Sequence, residues 1–182
     1  MPALLGACRI LAGREPPPQF LFPAASPELY DLLRREVGNL PGATIVRGQA
    51  VDCLAAAAAA IVTSGTSTLE ATLQETPFVT VYRLSPLSYL AGRLLVKTPW
   101  ISLPNILAGK PVVEEFIQGR CRADLVAAGV ARPLDDESAS LQMKADFATI
   151  RENLGPGGSA GIAAETIPKE TDPGYSRPAT NH

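Results

Sequence analysis

The sequence predicts an α/β domain: a three-layer arrangement of about five parallel strands with helices on both faces. Two observations predict it. Short apolar runs alternate with helical stretches as far as residue 103, and after Pro111 only helical patterns remain. Size and composition agree with that class. A chain of 182 residues, 46% apolar and 19% charged, suits one globular domain and not a disordered or fibrous protein.

The chain opens on a helical pattern, 2–12, with no strand in front of it, whereas an α/β domain normally starts on a strand. Strands are expected at 19–22 (QFLF), 44–46, 59–63, 78–82 (FVTVY) and 100–103, where β-branched and aromatic residues concentrate. Helices are expected between them at 27–37, 51–58, 66–74 and 86–96. Ser26 before Pro27 is a start signal, a capping hydroxyl followed by a proline at the first helical position. Pro77 closes one helix and leads into FVTVY. Beyond Pro111, helices are expected at 112–118, 122–128, 137–153 and 159–166, and the polar, Pro-rich ending PKETDPGYSRPATNH is expected to be disordered.

Several function classes are excluded early. The single histidine, His182, is the last residue, which removes Ser-His-Asp triads and His-ligated metals. Three scattered cysteines, Cys8, Cys53 and Cys121, form neither a disulfide framework nor a metal knuckle and read as idle thiols in a reducing compartment. A net charge of −2 argues against nucleic acid as a partner. The longest uncharged apolar run, 53–62, is too short to span a bilayer. The N-terminus lacks a basic region and is interrupted by Arg9, so it does not read as a signal peptide. A cytoplasmic location is the default.

The stretch IVTSGTSTLE, 61–70, is where chemistry could sit. An apolar strand runs into Ser64, Gly65, Thr66 and Ser67, and a helix follows. Gly65 permits a tight turn, and the first-turn amides with the flanking hydroxyls make a phosphate cradle beyond the carboxyl end of a strand. Glu70 lies at a reach suited to ribose hydroxyls. An ordinary capped helix start would use the same residue types, so the local pattern leaves both readings open.

A longer succession is more specific. SGTSTLEATL, then VYRLSPLSYLAGRLLVKTPWISLPNILAG, then VVEEFIQ resembles the C-terminal half of the lipid-A-disaccharide synthase family, over most of 19–118. That family is a metal-free, inverting glycosyltransferase of the GT-B fold. It moves a diacylglucosamine from its UDP carrier to diacylglucosamine 1-phosphate, releasing UDP. The resemblance implies a partial Rossmann-like donor-binding domain over 1–118, a helical segment over 119–167 and a disordered tail over 168–182. It implies no cofactor and no catalytic residue in this chain.

On that resemblance Ser64, Gly65, Thr66 and Ser67 lie near the donor pyrophosphate and Glu70 near the ribose. Tyr82 and Arg83 stand on the cleft rim, Asn105 of SLPN faces the cleft, Gly109 allows close backbone approach, and Glu115 and Gln118 match VVEEFIQ. Each has a plainer reading: Arg83 as a solvated strand-end charge, Asn105 as a turn residue, Glu115 and Gln118 as solvent-facing helix positions. Leu87, Leu90 and Leu94 form an apolar stripe with Trp100 nearby. It could pack on the sheet or lie on the inner-membrane surface, where acylated substrates reside.

A GT-B enzyme needs two domains across a cleft, and this length holds one. The acceptor domain and its carboxylate have no counterpart, and the match begins after the central first strand of the donor domain. The expected form is therefore a truncated or split enzyme, inactive alone, binding the UDP-linked donor and meeting the acceptor through the missing domain, with room for a homodimer. Two rivals stand beside it: another UDP-sugar GT-B enzyme, and a non-catalytic nucleotide-binding module.

Overall fold

The computed structural model describes residues 2–83 and 99–155. Five strands, β1 (Phe20–Ala24), β2 (Ala43–Arg47), β3 (Ala60–Thr63), β4 (Phe78–Tyr82) and β5 (Glu115–Ile117), pair only in parallel. Helices α1 (Pro2–Leu11), α2 (Pro27–Val37), α3 (Ala50–Ala56), α4 (Thr66–Leu73), α5 (Leu103–Ala108), α6 (Ala123–Asp135) and α7 (Glu137–Leu154), with a single 3-10 turn at Gln118–Arg120, complete the described elements. The ladders form two sheets and not one: β1 pairs with β2, while β3, β4 and β5 run in that order.

Local chemistry accounts for most boundaries. Ser26 caps α2 by accepting the Leu29 amide at 3.2 Å, with Pro27 in the first turn. A hydrogen bond from Ser26 and the Glu28 backbone amide hold the Glu28 carboxyl below its usual range. β4 is apolar and buried along nearly its whole length, as a central parallel strand must be. The expected helices at 86–96 and 159–166, and Leu87, Leu90 and Leu94, lie outside the described residues.

Two expectations are corrected. Residues 100–103 form no strand: Trp100 and Ile101 join no ladder, Ser102 is a helix cap, and Leu103 and Pro104 open α5. Pro104 has no amide to give a ladder but is tolerated in a helix's first turn. Residues 112–118 form no helix. Their centre is β5, whose Glu115, Phe116 and Ile117 lie beside Thr80, Val81 and Tyr82 of β4. The open edge of β4 decides this, a long-range partner that local pattern does not reveal.

Two cores hold the layers together. Ala7 and Leu11 of α1 pack with Val79, Val81, Phe116, Val126 and Val130, while Leu5 and Cys8 of the same helix pack with Ala24, Leu33, Val37 and Leu40. α1 thus serves both sheets. On the far side Phe147 of α7 stacks on Phe78, ring centroids 5.5 Å apart. Among the described residues no helix is long and apolar enough to cross a membrane.

α6 approaches the sheet closely at Gly129. A Cβ there would sit 2.7 Å from the Phe116 ring and 3.2 Å from Val79 Cγ1. Phe116 is buried and cannot swing aside. Gly129→Ala should therefore destabilise the domain by about 1–3 kcal/mol through overpacking, despite alanine's better helix propensity. Urea denaturation checks this; an unchanged or raised midpoint would contradict the close-packed α6 contact.

Candidate functional site at the strand ends

The carboxyl ends of β3, β4 and β5 lie in register. Ser64 donates its amide to the Val81 carbonyl at 3.2 Å, and Tyr82 sits beside Ile117, so Ser64, Arg83 and Gln118 each begin the segment leaving one of three adjacent strands. In parallel α/β sheets this edge collects the ligand-binding loops.

Gly65 separates β3 from α4 at φ 145°, ψ −160°, a conformation accessible in practice only to glycine. As the cap residue it brings no side chain to the first-turn amides. Thr66 and Ser67 are exposed at that turn. Thr68 is turned inward, its hydroxyl donating to the Gly65 carbonyl at 2.7 Å. Glu70 is exposed on α4, four residues after Thr66 and so on the same side of the helix. The edge therefore offers helix-end amides, two hydroxyls, the exposed Arg83 guanidinium and a carboxylate. Such a set can hold an anion and a neighbouring polyol.

Other candidate residues are used within the protein. The Ser64 hydroxyl donates to the Ile101 carbonyl at 3.0 Å, tying the β3 loop to the segment before α5. Asn105 is buried, and its amide makes four hydrogen bonds. Its oxygen accepts the amides of Val112 and Val113, both at 2.8 Å, and its nitrogen donates to the Val113 carbonyl and Glu115 Oε1, both at 2.9 Å. Glu115, half-buried at the start of β5, accepts the Ile101 amide on both oxygens at 3.1–3.2 Å. Its Oε1 also accepts the Ser102 amide at 2.9 Å and hydroxyl at 2.6 Å. The carboxylate of one strand thus caps a helix elsewhere in the chain. Gly109 ends α5 at φ 64° and donates its amide to the Ile106 carbonyl at 3.3 Å. Tyr82 and Trp100 are half-buried.

Sequence reasoning missed Ile101 and Ser102. Ser-Leu-Pro repeats the cap-then-proline signal of Ser26-Pro27 with one residue inserted, so the helix start was detectable; its carboxylate partner was not. A cavity of about 440 Å³ opens near the amino ends of β4 and β5, lined by Val79, Glu114, Gly129 and Arg132 among others. None of the candidate residues lines it. Cys8 and Cys121 are buried free thiols, and burial pushes the Cys8 thiol up, away from thiolate chemistry. Among the described residues no cluster of three or more His, Cys, Asp or Glu is placed to hold a metal.

Fold and edge together define a parallel α/β domain whose polar loops gather at the carboxyl ends of adjacent strands. Residues 2–159 match the family model described as lipid-A-disaccharide synthetase, and the chain belongs to that family, glycosyltransferases of lipid A biosynthesis. It is 37% identical over 177 residues to the lipid-A-disaccharide synthase of Syntrophus aciditrophicus, covering 94% of this chain and 46% of that protein. It is 34% identical over 175 residues to the Myxococcus xanthus enzyme, covering 96% and 46%. With the Azotobacter vinelandii enzyme, identity is 43% over 123 residues, 65% of this chain and 32% of the relative. The chain spans under half the length of these curated relatives.

The Asn105–Glu115 network can be tested directly. Asn105→Ala leaves the buried Val112 and Val113 amides without their acceptor and should cost at least about 1–3 kcal/mol. Asn105→Asp should also destabilise, by setting a second carboxylate beside Glu115. Thermal melts of both variants check this; wild-type midpoints would mean the network carries no stability.

Proposed function

We propose that this chain forms the UDP-sugar donor wall of a lipid-A-disaccharide synthase, the C-terminal half of a GT-B enzyme. The supporting observation is the alignment of Ser64, Arg83 and Gln118 at three neighbouring strand ends beside the start of α4. The donor is UDP-diacylglucosamine. Its pyrophosphate lies at the amides of Thr66 and Ser67, and Arg83 faces the same charge. Glu70 accepts hydrogen bonds from the ribose.

Transfer is a single displacement. The acceptor hydroxyl of diacylglucosamine 1-phosphate attacks the anomeric carbon opposite the leaving group, the bond to the β-phosphate oxygen breaks, and configuration inverts. This chain's part is to hold the donor and stabilise the charge that builds on departing UDP, through helix-end amides and Arg83. A facing domain supplies the acceptor site and the group that removes the hydroxyl proton. The acylated substrates bring the enzyme to the cytoplasmic face of the inner membrane.

Asn105 and Glu115 act on this reading by holding the 101–105 segment against Ser64. Gly109 ends the same helix.

Calorimetry with UDP and a transfer assay test the proposal. The 182-residue chain should bind UDP weakly and show no turnover, because positioning donor against acceptor supplies on the order of 7–11 kcal/mol of the barrier reduction. Adding the complementary portion of a relative should restore transfer. Arg83→Ala should weaken UDP binding about tenfold or more, the worth of a charge-assisted hydrogen bond. Glu70→Ala should weaken UDP more than it weakens inorganic pyrophosphate, which has no ribose. Turnover by the chain alone would sink the split-enzyme reading, and equal UDP affinity in both variants would sink the site.

A further inference from the structure

The first amide of β4 takes its acceptor from outside the sheet. Thr80 donates to the Glu114 carbonyl at 2.9 Å, and the register between β4 and β5 begins at Thr80. Alternate residues of a strand point their backbone groups to the same edge, so the Phe78 amide faces the β5 side one step before β5 begins. The backbone leading into β5 is committed elsewhere, since Asn105 accepts the Val112 and Val113 amides. The acceptor that the Phe78 amide finds is the Met143 sulfur of α7, at 3.4 Å.

That sulfur belongs to the face by which α7 grips the sheet. Met143, Phe147 and Ile150 are spaced four and three residues apart and so share one side of the helix. Phe147 and Ile150 are buried, and Phe147 stacks on Phe78. Met143 is only half-buried and lines the cavity of about 440 Å³ beside the amino ends of β4 and β5. Glu114, Arg132 and Gln142 line the same cavity and are exposed, so it is open to water and to small solutes. A thioether is a weak acceptor but a polarizable, oxidisable one. Here it is both part of the hydrogen bonding of the sheet and within reach of an oxidant.

We propose that Met143 is a sulfoxidation site, and that its oxidation by a peroxide loosens α7 from the start of β4. The sulfur lone pair attacks one oxygen of hydrogen peroxide. The S–O bond forms as the O–O bond breaks, and the departing hydroxide takes the proton of the transferred oxygen and leaves as water. Sulfur is oxidised and peroxide is reduced, with no further reactant. The product is polar and chiral. One epimer places its oxygen between the sulfur and the Phe78 amide, where a 3.4 Å separation leaves no room, so α7 must withdraw. The other turns its oxygen into the cavity and leaves the amide facing a sulfur that now carries partial positive charge. Both weaken the contact that precedes the Phe147 stack by one helical turn. The site lies at the amino ends of the strands and is independent of the donor-site reading at their carboxyl ends.

The test treats the 182-residue chain with hydrogen peroxide and follows the gain of one oxygen on the peptide carrying Met143, which Met1 alone accompanies as a methionine. Oxidation of the folded chain should proceed at a rate indifferent to urea below the unfolding transition, because the cavity and not unfolding admits the oxidant. By NMR hydrogen exchange, the amides of Phe78, Phe147 and Ile150 should then exchange about tenfold faster, the worth of one lost hydrogen bond. Those of Leu33 and Ile45, in the other core, should keep their rates. The melting midpoint should fall by about 2–4 °C. Methionine sulfoxide reductases of both epimer specificities should reverse these changes. Met143→Leu conserves apolar volume but has no sulfur. It should speed Phe78 exchange without peroxide and show no further change with it, which separates Met143 from oxidation at the cysteines. If Met143→Leu fails to fold, reversal by the reductases makes the same distinction. The proposal is overturned if Met143 oxidises only as the chain unfolds, or if its sulfoxide leaves those three amides and the midpoint unchanged. Equal sensitivity of Met143→Leu to peroxide, or changes that the reductases cannot reverse, would place the effect at another group and equally overturn it.

Discussion

The Glu115 carboxylate organises the sheet edge where β3, β4 and β5 end. It accepts the amides of Ile101 and Ser102, the Ser102 hydroxyl and the Asn105 amide. α5 is six residues long, too short to persist alone, and its start is held by an anion where a helix favours negative charge. Asn105 then clamps the Val112–Val113 backbone that feeds β5. The loop closes on itself: β5 holds Glu115, Glu115 holds the helix start, and Asn105 of that helix holds the approach to β5. Removing any member leaves buried polar groups unpaired, which costs more than an ordinary hydrogen bond contributes.

Through Ile101 the same network reaches β3. The Ile101 carbonyl accepts the Ser64 hydroxyl, so the loop that opens α4 is braced from the side. That bracing suits a loop containing Gly65, whose backbone conformation needs support from its surroundings. It also divides the labour among the conspicuous polar residues. Ser64, Asn105 and Glu115 hold structure, while Thr66, Ser67, Glu70 and Arg83 are exposed.

The two sheets depend on a different constraint. Parallel strands are stable when covered on both faces, and here α1 is shared between two cores while α3 buries nothing. Thr80, in the most buried strand, has a side-chain oxygen with no hydrogen-bond partner. The described residues thus make a well-packed triplet of strands and a thinner pair.

Much of this was legible in the residues themselves. The capping of α2, the ends of β4 and the strand–turn–helix at Gly65 follow from local chemistry, because caps, prolines and apolar runs act within a few positions. Strand direction followed from the helices between the strands. Tertiary structure decided the rest. WISL has a strand's composition and VVEEF is no better a strand than a helix, yet the first became a helix start and the second a strand. The free edge of β4 claimed the second, and Glu115, placed there, then captured Ile101 and Ser102. Asn105 reads in sequence as a turn or cleft residue, and only the fold shows its amide fully engaged inside. Local propensity is worth a few tenths of a kcal/mol per residue, and a shared ladder or a multiply bonded carboxylate outweighs it.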